Sequence, residues 1–499
     1  MSMTETSDRS RPLWTPGNRV SFASRMRRLK ELLHECWDSH EDCNPGSTVL
    51  PTRLVEITAE GQDGFYLRLV DTDLLDSTKI RYSALSHCWG SASSGPSKTT
   101  QANLYLYRRR IPYSDLTQTI KDAVRVTSAL DMRYLWVDSL CIIQGDAKDW
   151  ETEATRMAGV FGGSDLTIVA NASSDAHGGL FLDSVAPAVV VRGQADANVS
   201  DSWLLRWHPA DLDVLKASVL RTRGWVFQEL WLPRKKVFFE MDQFVWDCRH
   251  RLAAEDDSHH SPEGQRASPT DPNPSMAWQR VVGAYSQKNF SYRSDRLAAL
   301  AGLTQWWSLE CKQASFLGIW KETLARDLAW ALTPEDGPGK DTIPPSKSAI
   351  PGVPSWSWFS WDCGVSFWSP KAGESTGLDL QLLDCDVRWR GEAMTSDILM
   401  TRLRVRGLLK SLELVHEVSE DESARLSVEN YTTVECHITV DEFGSYILTH
   451  EDASRIETAD CLLLSCSVGE KTAMSFMLVK RLAIVEGFQV CQRYGLELV

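Results

Sequence analysis

The chain has 499 residues, of which 43% are hydrophobic and 24% charged, the composition of a globular protein with two or three domains. Its formal net charge of -14 argues against nonspecific binding to nucleic acid or to anionic membranes, since such binding needs a positive field. The amino terminus lacks the apolar core of a signal peptide, and no run of about 18 apolar residues occurs. We therefore expect a cytoplasmic protein with no membrane span and no nucleic-acid partner.

The 12 cysteines are scattered along the chain. They show neither C-x-x-C pairs nor the Cys/His spacing of a zinc site, so the sequence predicts no metal site. In a reducing compartment such cysteines are expected to be small buried hydrophobic side chains.

In chain order, composition predicts six segments. Residues 1–48 form a polar leader and a helix, with Met26, Leu29, Leu32 and Leu33 at helical spacing. Residues 49–254 form the main domain, with a core at about 81–181 and a further block at 221–248 that contains a helix and a hairpin. A mobile loop at 255–275 precedes a helical extension at 276–332, a linker at 333–354 and a Trp-rich, β-rich part at 355–499.

Strand and helix patterns alternate within the core. "RYSALSHCWG" predicts a strand, "DLTQTIKDAVRVTSAL" a helix, the apolar run Leu135–Ile143 a second strand, "DWETEATRMAGVFGG" a helix and "DLTIVAN" a third strand. This βαβαβ order predicts an α/β fold with a parallel sheet, right-handed crossovers and helices flanking the sheet.

Polar residues crowd the predicted carboxyl ends of these strands, where open α/β sheets bind ligands. They are Ser86, His87 and Cys88 after the first strand, Asp138, Ser139 and Gln144 with the second, and Asn171 after the third. Asp138 interrupts an apolar run, and in a strand it would need a donor such as Ser86, His87 or Arg223. The alternative is a structural carboxylate that accepts hydrogen bonds from loop amides.

Two glutamates are further candidates. Glu153 lies in the first turns of a predicted helix, where the helix dipole alone would stabilise it. Glu229 lies in the aromatic setting "GWVFQEL", where a desolvated carboxylate has a raised pKa; alternatively, Gln228 and Glu229 fix Arg221 or Arg223. A nucleophilic Cys88 or Cys141 with His177 is also allowed, although buried cysteines are more often inert.

Three long blocks of the chain resemble, in order, the fungal heterokaryon incompatibility (HET) domain. They are "YSALSHCWG", "YLWVDSLCIIQGDAKDWETEATRMAGVF" with "LTIVAN" and "GGLF", and "RTRGWVFQELWLPRKKVFFEMDQFVWDC". "SYRSDRLAALAGL", "GIWKETLARDLAWAL" and "PSWSWFSW" resemble the extension behind that domain in stand-alone members. Gly145 stands where an acidic residue is common in the family.

The resemblance implies a role in nonself recognition and programmed cell death. It also implies a fold distantly similar to Toll/interleukin-1 receptor (TIR) domains, which have a flavodoxin-like parallel sheet. Some TIR domains hydrolyse NAD with a glutamate, so the resemblance points to catalysis by Asp138, Glu229 or Glu153. A nucleotide or other small molecule would then contact a larger set of side chains: Ser86, His87, Cys88, Trp89, Ser139, Gln144, Asn171, Arg223 and Trp225.

Three functions remain open at this stage. The first is a cell-death effector that forms a homo-oligomer and hydrolyses NAD, with NAD as substrate and no resident cofactor. The second is a stand-alone enzyme acting on a small molecule, for example in secondary metabolism. The third is a noncatalytic interaction module, which a closed and solvent-free polar cluster would favour.

Overall fold

The structure is a computed structural model. It describes the following residues: 21–44, 50–61, 64–76, 80–90, 95–182, 218–241, 243–256, 271, 273–333, 347–348, 350–367 and 380–407, and the backbone of further strands between residues 2 and 496. The predicted loop 255–275 and the predicted linker 333–354 fall largely outside the described residues, as does most of the predicted leader. The chain divides into two compact units, Met1–Arg266 and Ala267–Val499.

The first unit alternates strands and helices. Its helices are α1 Phe22–Ser39, α2 Leu104–Arg109, α3 Gln118–Ala129, α4 Asp138–Cys141, α5 Ala147–Gly163 and α6 Gly224–Trp231. Its strands are β1 Ser2–Thr4, β2 Arg53–Glu60, β3 Gly64–Asp71, β4 Tyr82–Ser86, β5 Tyr134–Trp136, β6 Leu166–Val169, β7 Ala188–Arg192, β8 Ser202–Arg206, β9 Lys235–Phe239, β10 Phe244–Cys248, β11 Leu252–Ala254 and β12 His260–Ser261. Strands β1, β8 and β7 form a small separate sheet.

The main sheet has nine strands in the order β12-β11-β10-β9-β6-β4-β5-β2-β3. The pairings β4–β5, β4–β6 and β6–β9 are parallel, so four parallel strands form its centre. Antiparallel strands extend the sheet on both sides. The predicted α/β class with a central parallel sheet is confirmed, while β9, predicted only as part of a hairpin, also joins the parallel strands.

Helices α3 and α5 cover opposite faces of this sheet. The Tyr82 hydroxyl donates to the Val160 carbonyl of α5 at 2.6 Å, and the adjacent Ser83 hydroxyl is 2.6 Å from the Thr127 hydroxyl of α3. Neighbouring strand residues point to opposite faces, so each face has its own helix. Strands covered on both sides are apolar throughout, and every residue of β4, β5 and β6 is buried.

The predicted second strand, residues 135–143, is wrong after its first two residues. The strand β5 ends at Trp136, and Asp138 begins the short helix α4, in which the Ile142 amide donates to the Asp138 carbonyl at 3.1 Å. An apolar run predicts burial but does not separate a strand from a buried helical turn. The segment is buried as predicted, with a different backbone conformation.

The second unit combines helices with a strand-rich carboxyl-terminal part, as predicted. Its helices are α7 Pro274–Ser286, α8 Ala298–Cys311 and α9 Leu324–Asp327. Its strands are β13 Ser315–Phe316, β14 Ile319–Trp320, β15 Trp330–Leu332, β16 Val365–Phe367, β17 Ser375–Gly377, β18 Gln381–Trp389, β19 Ile398–Glu413, β20 Thr432–Thr439, β21 Ile447–Leu448, β22 Thr458–Val468, β23 Ala473–Val485, β24 Phe488–Arg493 and β25 Gly495–Leu496. Seven of these form one sheet, in which β20–β24 is the parallel pair.

Tryptophans build the core of this second unit. Trp278 packs edge-to-face on Trp307 and Trp320 at ring-centroid distances of 5.2 and 5.1 Å. The indole nitrogens of Trp278 and Trp358 both donate to the Gly318 carbonyl, at 3.0 and 3.2 Å. Gly318 has a φ of 80°, and a Cβ atom there would lie 2.4 Å from the Trp358 indole nitrogen, so only glycine fits this position.

Candidate functional site

The order of the parallel strands marks one edge of the sheet as the place where a ligand crevice is expected. The first strand of the predicted βαβαβ unit, β4, lies between the second, β5, and the third, β6. The two crossovers therefore run in opposite directions, and open α/β sheets bind ligands at such a reversal, outside the carboxyl ends of the strands. Here those ends are Ser86 on β4 and Val169 on β6.

A buried serine–glutamate pair lies at this edge. The Ser86 hydroxyl donates to Oε2 of Glu229 at 2.6 Å, and the side chains are 0% and 7% exposed. Strand alternation turns Ser86 toward the face covered by α5, and α6 lies there too, because Trp225 of α6 packs edge-to-face on Trp150 of α5 at 6.2 Å. The predicted Ser86 and Glu229 are thus brought into direct contact.

Burial raises the pKa of Glu229 to about 7, and the Ser86 hydrogen bond opposes this rise. The negative charge of Asp138 raises the pKa further, while the Arg223 guanidinium lowers it. A carboxyl group with a pKa near neutrality exchanges its proton at physiological pH, which is the property required of a general acid or base. Glu229 therefore has the buried environment and the raised pKa that the stretch "GWVFQEL" predicted.

Asp138 has different partners from those predicted. Its Oδ2 accepts from the Trp89 indole nitrogen at 2.8 Å, and its Oδ1 accepts from the Ser139 amide at 2.7 Å. The predicted donors do not include this indole; of them, His87 has its Nδ1 4.0 Å from Oδ1 of Asp138. The carboxylate is 30% exposed, because it lies at the start of α4 and not inside a strand.

His87 and Arg223 also belong to this cluster, since Asp138 and Arg223 affect the charge of His87, and both affect that of Glu229. Burial lowers the pKa of His87, and Arg223 lowers it further against the opposing effect of Asp138, so the imidazole is neutral at pH 7. Arg223 donates to the His87 carbonyl at 3.4 Å. Among the described residues, neither ring nitrogen of His87 has a hydrogen-bond partner. Buried polar atoms of this kind are expected to bond to water or ligand.

Three further predicted binding residues are Trp89, Gln144 and Ser139. The Lys98 ammonium lies 4.8 Å from the centre of the Trp89 ring. Gln144 donates to the carbonyls of Ile142 and Asp138 at 3.1 and 3.4 Å, which holds the loop after α4. The Ser139 hydroxyl is buried and has no hydrogen-bond partner among the described residues.

Asn171 belongs to a contact that the sequence did not reveal. Its Nδ2 donates to Oε1 of Glu240 at 2.7 Å, while its Oδ1 is buried and has no hydrogen-bond partner within the described residues. Glu240 is the first residue after β9, and Asn171 is the second residue after β6. No local sequence signal marks β9 as a fourth parallel strand, and it is the parallel pairing of β9 with β6 that places Glu240 at the same edge.

Glu153 lies in a separate ionic network. The Arg53 guanidinium donates to both oxygens of Asp149 at 2.6 Å and to the Cys141 carbonyl at 2.7 Å, and Oε1 of Glu153 lies 3.8 Å from it. Burial raises the pKa of Glu153, with Arg53 opposing. This network fastens α5 and the loop before it to β2, and no described contact joins Glu153 to Ser86 or Glu229.

The cysteines beside the site are protonated. Burial raises the pKa of Cys141 to about 12 and also raises the pKa of Cys88, where Arg223 opposes the change. Thiolate is the reactive form of cysteine, so the structure gives no support to a nucleophilic Cys88 or Cys141.

Residues 82–229 match the family model described as "Heterokaryon incompatibility protein (HET)". This part of the chain is similar to the HET domain. The match begins at the first residue of β4 and ends at Glu229, so it contains both members of the Ser86–Glu229 pair and every predicted site residue. No curated protein and no solved structure matches the chain. None of the helices that the structure describes is both long and apolar enough to cross a membrane.

Proposed function

We propose that this protein is an effector of nonself recognition and cell death whose HET domain hydrolyses NAD or a related nucleotide. The observation that carries the proposal is the buried Glu229 carboxyl, bonded to Ser86 at the crevice edge, with a pKa raised to about 7. The family match supports the role in heterokaryon incompatibility, and the carboxyl group supports the chemistry.

Cleavage of the nicotinamide–ribose bond requires stabilisation of positive charge and activation of water. In the proposed step, water attacks the anomeric carbon, the carbon–nitrogen bond breaks and its electron pair moves to the nicotinamide nitrogen. Ionised Glu229 accepts the proton of the attacking water, and the developing oxocarbenium charge lies beside carboxylates, as in glycoside hydrolysis. Ser86 orients Glu229, so Ser86 is a positioning residue.

Other groups at the edge suit the rest of a nucleotide. The Arg223 guanidinium is partly exposed and would contact a phosphate oxygen through its planar donors. Trp89, held by Asp138 at 2.8 Å, offers an aromatic face for stacking. The partly exposed carboxylate of Asp138 marks the side from which a ligand would enter.

The direct test is product formation by the purified full-length chain incubated with NAD, NADP and ATP. With NAD or NADP, the wild type and Glu56→Gln should release nicotinamide. Glu229→Gln should lose this activity by about 100-fold or more, the range expected for removing a general base. Glu56 is a matched control because it is also a buried glutamate, held by Arg133 at 2.5 Å on strand β2. Full activity in Glu229→Gln would refute the proposal.

A second candidate, a noncatalytic interaction module, is supported by burial. Ser86 and Glu229 are 0% and 7% exposed, which is the closed cluster that such a module would have. It predicts no turnover of any of the three nucleotides, together with unchanged cell death in a folded Glu229→Gln variant.

A further inference from the structure

Four potential metal ligands converge at the other edge of the main sheet. Cys36 lies in the last turn of α1, His40 caps that helix, and Cys43 ends the short helical turn Glu41–Cys43 that follows. Cys248 is the last residue of β10. One ligand atom from each of these residues lies within 4.8 Å of all the others, and Sγ of Cys248 is 3.7 Å from Nδ1 of His40.

The cluster is separate from the candidate site. Cys248 pairs with Lys235, the first residue of β9, and β9 runs parallel to β6 and β4. The four residues therefore lie at the amino-terminal edge of the parallel strands, whereas Ser86 lies at the carboxyl-terminal edge. All four also lie outside residues 82–229, the range of the HET match.

The distances suit a tetrahedral metal ion. Zinc–sulfur and zinc–nitrogen bonds of about 2.3 and 2.0 Å imply ligand–ligand separations of roughly 3.4–3.8 Å. The observed limit of 4.8 Å requires only small side-chain rotations to reach that geometry. Three thiolates with one imidazole form one of the standard sets of structural zinc sites, and soft sulfur ligands disfavour magnesium and calcium.

The thiols are also buried and reduced. Cys36, Cys43 and Cys248 are 1%, 0% and 0% exposed, and all three are free. A disulfide would consume two of them and leave the third thiol and the imidazole facing it. Zinc uses all four groups at once.

A positively charged side chain lies beside the cluster, where a zinc ion held by three thiolates would need one. Three thiolates and one zinc ion carry a net charge of -1, which needs a nearby cation when buried. The fully buried Lys235 ammonium donates to the Cys43 carbonyl at 2.8 Å and lies 3.5 Å from Oδ1 of Asn44. A positive group is thus fixed directly beside the ligand loop.

We propose that Cys36, His40, Cys43 and Cys248 bind one structural zinc ion that fastens α1 to the β9–β10 hairpin. His40 and Cys248 are 208 positions apart, so the ion closes a long loop of chain, and such a link stabilises the fold by restricting the unfolded chain. Cys36, His40 and Cys43 lie close together in the sequence, but the fourth ligand, Cys248, lies far along the chain. The sequence alone therefore shows no complete set of four zinc ligands.

The test is the metal content of the full-length chain, purified without added metal and measured by plasma mass spectrometry. We expect about one zinc ion per chain in the wild type and in Cys141→Ser, a control with an equally buried free thiol outside the cluster. Cys248→Ser should contain about tenfold less zinc or lower still. If Cys248→Ser fails to fold, His40→Asn replaces it, because His40 is the half-buried ligand.

Cobalt offers an independent readout. Apoprotein prepared with a chelator should bind one cobalt ion and develop the intense visible bands of a tetrahedral site with thiolate ligands, and zinc should abolish them. The proposal is overturned if the wild type contains no zinc and binds neither zinc nor cobalt. It is also overturned if both ligand variants keep wild-type zinc content, or if thiol titration shows a disulfide within the cluster.

Discussion

At the scale of single residues, the candidate site is held by hydrogen bonds between side chains that lie far apart in the sequence, such as Ser86 and Glu229. Glu229 was predicted to be desolvated, and its contact with Ser86 at 2.6 Å provides that environment. The sequence predicted Ser86, His87 or Arg223 as the donor to Asp138. Its partners are instead the Trp89 indole and the backbone amide of Ser139. Partners of this kind depend on where a strand ends, and an apolar run does not fix that point.

Glu229 should make folding stability depend on pH. Its pKa is about 7 in the folded protein against an ordinary value of 4.5, so the folded state holds a proton that the unfolded state releases. This contribution is fully present below pH 4.5 and is lost as the pH rises through 7. Glu229→Gln removes the dependence and should be more stable than the wild type above pH 7, by roughly 3 kcal/mol at most.

Urea unfolding of both proteins between pH 4 and 8 measures this effect, and their difference isolates Glu229 from other titrating groups. A difference that stays constant over this range would show that Glu229 has an ordinary pKa.

At the scale of elements, the alternation of strands and helices was predictable because each has its own hydrophobic period. Helix α3 buries Ile120, Ala123, Val124 and Thr127, the face that its sequence pattern indicates. What the pattern could not supply was the pairing order, since β9 looks like half of a hairpin and pairs with β6 as well. Long-range pairing is settled by burial of the whole sheet and not by local sequence.

The Arg53 network should be essential for holding α5 against β2. Arg53→Met leaves the carboxylates of Asp149 and Glu153 without their buried cation, and should destabilise the protein by about 3–5 kcal/mol. Arg68→Met is the control, because that arginine side chain is 45% exposed where it pairs with Glu56, and its loss should cost less than about 1 kcal/mol. Equal losses in the two variants, measured by urea unfolding, would contradict this account.

At the scale of the whole molecule, the chain forms two compact units, each with its own buried core. Leu85, Val124 and Ile168 belong to the core of the first unit, and Trp278, Trp307 and Trp358 to that of the second. Composition indicated more than one domain, but the finer boundaries between the segments remain predictions. The reason is that Pro- and Ser-rich stretches mark connections without showing which neighbours share a core.

Two cores predict two unfolding transitions in calorimetry, because separate cores unfold as separate cooperative units. Arg53→Met should lower only the transition of the Met1–Arg266 unit and leave the other unchanged. A single transition whose calorimetric and van't Hoff enthalpies agree would show that the chain unfolds as one unit.

The central claim is that the Ser86–Glu229 cluster of the HET domain carries the function, and growth of host cells on induced expression tests it most directly. The wild type and Glu56→Gln should arrest growth, and Glu229→Gln, at the same protein level and with the fold retained, should not. Arrest by Glu229→Gln as strong as that by the wild type would contradict the claim.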